Sequence, residues 1–216
     1  LIVFSLFLVV ASISYSAAPV FQGGTGTNST EAGVDNTASK ENSSAFGYDN
    51  TASGTWSSAF GSINIASGRG SSAFGYLNTA SEENSSAFGY ENKANGFSSS
   101  AFGYKNKASG LSSSAFGNRN MVGKLKDDGS GNFIPDKNFG KESLAFGTEY
   151  QVTGNSSGAF GVGLLSGVYQ YVNEGNNSYM IGNKNKIASG SNNNFILGNG
   201  VTIGAGVQKS VVLGDG

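Results

Sequence analysis

The sequence predicts an all-β fold, a narrow β-solenoid whose coils take 14 residues each. Three observations predict it. The string SAFG carries Ala45, Ala59, Ala73, Ala87, Ala101 and Ala115, each 14 residues after the last, and self-similarity at a fixed period marks repeat architectures. Within a repeat the apolar pattern alternates: Ser43, Ala45 and Gly47 form a small face, while Ser44, Phe46 and Tyr48 form a larger one, as on a strand. Gly and Asn stand between the short strands, where turns are needed. A coiled coil, whose heptad also fits the spacing, fails because Gly, Ser and Asn are poor helix formers and recur in every repeat.

The elements follow in order. Residues 1–17 open with LIVFSLFLVVASI and continue with small residues at Ser14, Ser16 and Ala17. They read as a signal-peptide remnant, too short for a membrane-spanning helix. Residues 18–32, containing GGTGTNSTEA, read as a flexible lead-in. Residues 33–216 read as the roll. Coils over 33–116 repeat regularly, and six of them stacked at ~4.8 Å would span roughly 29 Å. Insertions are expected near 118–140 and 162–177, because Ala145 arrives 30 residues after Ala115 and later steps lengthen to 21, 16 and 16. In a coil this small, Ala, Ser and Gly are expected inside. The Asn36, Asn50, Asn64, Asn78, Asn92, Asn106 and Asn120 column is expected to bond adjacent coils. Phe46, Phe60, Phe74, Phe88, Phe102, Phe116, Phe146 and Phe160 are too large for the interior and must line the outside. A ladder of that size calls for a cover, which identical chains packed around an axis would provide. These Phe residues are therefore the expected subunit interface.

Composition narrows function. The chain has no Cys, no His and a net charge of -1. Disulfides and the usual His/Cys metal or haem sites are unavailable, as is the commonest general base. No cofactor and no metal are expected. A near-neutral chain shows no footprint for nucleic acid. Columns that vary among constant neighbours are the expected contact positions, which include Leu77 and the turn residues Trp56, Arg69, Phe97 and Leu111. Insertions in solenoids map to loops, adding Lys126, Phe133, Ile134, Tyr169 and Tyr171.

The SSAFG strand followed by NTASG or NKASG, recurring over 33–117 and more loosely to 216, resembles the head domain of YadA-type trimeric autotransporter adhesins. The resemblance implies a left-handed parallel β-roll, an obligate homotrimer, export to the bacterial cell surface and outer membrane, and adhesion. Implied partners are the chain itself and a host-surface or matrix protein such as collagen, fibronectin, laminin or a CEACAM-class receptor. Membrane anchoring is expected only through a C-terminal region outside this sequence. Phe stands where the family usually has Ile or Val. A structural spacer presenting another domain is the alternative function. An ice-binding solenoid is a weaker one, because Lys93 and Lys107 interrupt the Thr37, Thr51, Ile65, Thr79 column.

Overall fold

A computed structural model describes residues 21–127, 133–136, 138–163 and 171–216. Among them there is no helix. Each coil contributes one long strand, such as Ser72–Tyr76, and one two-residue strand, such as Thr79–Ala80. The long strands form a 13-stranded sheet and the short ones an 11-stranded sheet. Successive long strands pair in parallel with a 14-residue offset, so Ala73 faces Ala87 and Phe74 faces Phe88. The fold is a parallel β-solenoid of about twelve turns.

The roll starts earlier than the sequence implies. Phe21–Gly23 pairs antiparallel with Thr30–Val34, which pairs parallel with Ser44–Tyr48. The lead-in expected over 18–32 is thus structured from Phe21 onward. Phe21 lies opposite Ala32, and its ring meets the Phe46 ring edge-on at 5.7 Å. A large residue on the terminal strand fills the space that Ala32 leaves in the Phe column.

Inside the regular coils, Ala45 and Ala52 and their equivalents are fully buried. So is the whole Asn column from Asn50 to Asn120, so the interior is not restricted to Ala, Ser and Gly. Hydrogen bonding makes this burial tolerable. The Asn78 amide nitrogen donates to Asn64 Oδ1 at 3.0 Å, the Phe74 carbonyl at 2.9 Å and the Gly89 carbonyl at 2.7 Å. Its Oδ1 accepts from the Asn92 backbone N–H at 3.0 Å. Each Asn of this column therefore ties its own turn to the coils on either side, and its side-chain amide meets partners on both sides. The glycine beside this ladder is obligatory. Gly75 has a φ of 115°, and a Cβ there would run into the Gly89 carbonyl oxygen.

Lengthening the coil changes the filling. The column of Ala45 becomes Met180 and Ile196, and that of Ala52 becomes Val122, Val152, Asn173, Ile187 and Ile203. Tyr150 takes the Asn position after Asn120 and is fully buried. Its backbone N–H donates to Asn120 Oδ1 at 3.0 Å, its hydroxyl donates to the Gly182 carbonyl at 2.8 Å, and the Asn185 N–H donates back to that hydroxyl at 3.1 Å. One Tyr thereby spans the enlarged coil and reconnects the ladder to Asn185. Burial raises its phenol above the usual value, consistent with a neutral donor.

Candidate functional site

Three surfaces run along the roll. The first is the outer face of the long-strand sheet. From Phe46 to Phe116 the rings stack at 4.7–5.1 Å, nearly parallel. The rings cover each other's faces and leave their edges outward. Phe146 departs from the stack, 6.4 Å from Phe116 and 57% exposed. The column continues through Phe160 to Ile181, Leu197 and Leu213, and the neighbouring one from Ser44 through Leu144 to Tyr179, Phe195 and Val211. No charged side chain stands in either column. Tyr76, Tyr90 and Tyr104 flank them, partly exposed.

The second surface is the corner leading from the short strand to the next long strand. Trp56 sits there, 51% exposed and with a positive φ of 60°. The Arg69 guanidinium lies 4.6 Å from its ring centroid and pairs with Glu83 at 3.2 Å. Phe97 and Leu111 are exposed on the following coils and line a shallow concavity with Asn138 and Lys141. The hairpin formed by Lys124–Asp127 and Phe133–Asp136 leaves the roll where this corner begins. Four of the expected contact residues, Trp56, Arg69, Phe97 and Leu111, are thus brought into one line. Lys126, Phe133 and Ile134 belong to the hairpin strands at the end of that line. Tyr169 lies outside the described residues. Tyr171 is different: it packs against the core, because it occupies the coil position of Tyr150. It is half-buried, with part of its side chain still at the surface.

The third surface is the opposite corner, where Leu77 falls. Its column comprises Asp35, Asp49, Ile63, Leu77, Glu91, Lys105 and Arg119, and every member has φ near 55°. Left-handed backbone is costly for residues other than Gly, Asn and Asp, so this column varies at some cost in strain. No feature of the sequence repeat revealed that conformation. A groove of roughly 560 Å³ runs along the corner, lined by Leu77, Thr79, Glu91, Lys93, Lys105, Lys107, Arg119 and Glu149. Lys105 pairs with Glu91 at 3.0 Å, and Arg119 with Glu149 at 3.2 Å. The hydrogen bond from Lys105 holds the Glu91 carboxyl below its usual value. Sequence reasoning saw Lys93 and Lys107 only as breaks in a Thr column. Two Lys residues 14 apart were the available signal.

Comparison with known proteins agrees with this geometry. The family described as YadA head domain repeat matches residues 25–49, 38–62, 66–92 and 94–120. No curated protein matches the chain. Repeats of this kind belong to surface-exposed autotransporter adhesins and are structural and adhesive in character. The stacked Ala and Asn columns, the parallel register and the family match lead to one conclusion: residues 25–120 match the YadA head domain repeat and are built like a YadA-like head.

Proposed function

We propose that the chain is the head of a homotrimeric bacterial surface adhesin that attaches to host receptors or extracellular matrix. The uncharged apolar face along the roll carries this reading. Aromatic edges and aliphatic side chains exposed over about twelve coils would be costly to leave in water. Three rolls with this face turned to a common axis would cover it. The trimer interface is then Phe46, Phe60, Phe74, Phe88, Phe102, Phe116, Phe146 and Phe160, continued by Ile181, Leu197 and Leu213. The corner carrying Trp56, Arg69, Phe97 and Leu111 stays outward and supplies the attachment surface, with the hairpin beside it. An exposed Trp held under a guanidinium is suited to a binding hot spot. Export by the segment 1–17 and display at the outer membrane complete the reading.

Light scattering tests the assembly. The protein is expected at three times its chain mass, and Phe74→Asp is expected to prevent assembly by placing three carboxylates at one level of the axis. A Phe74→Asp protein that assembles normally would place the ladder elsewhere. Attachment is tested by a binding screen against collagen, fibronectin, laminin and CEACAM-class ectodomains. On any partner found, Trp56→Ala should weaken binding; unchanged affinity would remove this corner from the contact.

A further inference from the structure

The groove at the Leu77 corner holds a charge arrangement that the roll does not need. Lys93 and Lys107 are register partners on adjacent parallel strands. Their side chains leave the same face one strand spacing apart, about 4.8 Å, and like charges so placed repel. Among the described residues neither ammonium pairs with a carboxylate. The nearby carboxylates are already engaged, Glu91 by Lys105 and Glu149 by Arg119. The groove lining therefore holds four cations against two carboxylates. Lys107 is half-buried, and burial together with the Lys93 charge pushes its ammonium below the usual value. In the preceding coils the same column carries Thr37, Thr51, Ile65 and Thr79, so the fold does not require lysine here.

We propose that Lys93 and Lys107 bind a sulfate ester of a sulfated polysaccharide lying along this groove. The proposal deepens the attachment reading above and rests on it. An oxyanion between the two ammoniums would relieve their repulsion and form two charge-assisted hydrogen bonds. A sulfate ester has three terminal oxygens, enough for both lysines and solvent. The rest of the lining suits a polyol. Glu91 can accept from hydroxyl groups, and Thr79 can donate or accept. The parallel ladders run along the roll axis and are already paired, so a peptide laid in the groove would find no open strand edge to extend.

The test measures binding of the protein to immobilised heparin, with free heparin, hyaluronan and polyglutamate as competitors. The double variant Lys93→Thr/Lys107→Thr keeps the residue already used in this column, so its unfolding temperature should match the parent. Its affinity for heparin should fall about tenfold or more. The double variant Lys40→Ala/Lys209→Ala changes net charge equally at exposed positions away from the groove and should bind as the parent does. Equal loss in both double variants would overturn the site in favour of diffuse electrostatics. Competition by polyglutamate as strong as by free heparin would overturn the polysaccharide, and equal competition by hyaluronan would overturn the sulfate. Attachment to host cells is measured separately. Heparin binding through the lysine pair without cell attachment would refute the attachment reading and leave the site standing. Cell attachment without heparin binding would refute only the site.

Discussion

The regular coils and the C-terminal coils solve one packing problem in two ways. Over residues 33–116 the interior is Ala, Ser and Asn, and the coils are joined by side-chain amides. Over 178–213 the coils lengthen to 16 residues and the interior becomes Met180, Ile187, Ile196, Ile203 and Val201. The longer coils hold larger aliphatic side chains than Val152, which is buried in a 14-residue coil. The short coil has little apolar surface to bury, so its cohesion depends on satisfied polar groups. The long coil adds aliphatic burial to amide bonds that Asn185 and Asn194 still make between coils. Tyr150 stands at the junction and does both, with a ring filling space and a hydroxyl continuing the ladder.

Removing the distinctive group of each region should show the difference. Asn78→Ala leaves the Gly89 carbonyl and the Asn92 N–H short of partners inside the roll. The expected loss is roughly 2–6 kcal/mol, from two buried groups at about 1–3 kcal/mol each. Ile196→Ala should cost about 2–5 kcal/mol through a cavity. Hydrogen exchange read coil by coil should localise the first loss to 75–103 and the second to 180–213. A small effect of Asn78→Ala would mean that the narrow coils are held by their backbone ladders alone.

Tyr150→Phe keeps the filling and removes the hydroxyl. It should cost about 1–3 kcal/mol, seen as faster exchange around Gly182 and Asn185. Because burial raises the folded-state phenol above its ordinary 10.0, the stabilisation it gives is present below that pH. It is lost as pH rises through the folded-state value. The parent should therefore lose stability more steeply than Tyr150→Phe in alkaline unfolding titrations, and parallel curves would argue against the buried phenol. The smallest change expected is a gain. Ile63 is β-branched at a φ of 56°, so Ile63→Asn should stabilise by about 1 kcal/mol in thermal unfolding. No gain would show that the Ile63 side chain recovers the strain through contacts.

Much of this was legible because a solenoid repeats its physics along with its sequence. The 14-residue period places Ala45 on Ala59 and Phe46 on Phe60, and alternation along SSAFG assigns inside and outside. Asn fooled simple size reasoning, since a polar side chain in the interior is tolerable only when every bond is met, and those bonds involve coils 14 residues away in both directions. Phe21 was missed because its pairing with Ala32 is antiparallel and lies outside the repeat. The packing of Tyr171 was not legible because an irregular coil hides the register that sets it beneath Tyr150.

Period, strand alternation and the excess of Gly and Asn thus determine a narrow roll with small residues within and Phe without, because each is a local property copied from coil to coil. The coordinates add what depends on stacking. They put a positive φ on the Leu77 column, the Trp56–Arg69–Glu83 cluster on one corner and the Tyr150 bridge across the enlarged coil. They also align Lys93 with Lys107 in an open groove. Each of these arises between coils, where residues distant in sequence meet at one strand spacing and their charges, rings and amides must be matched.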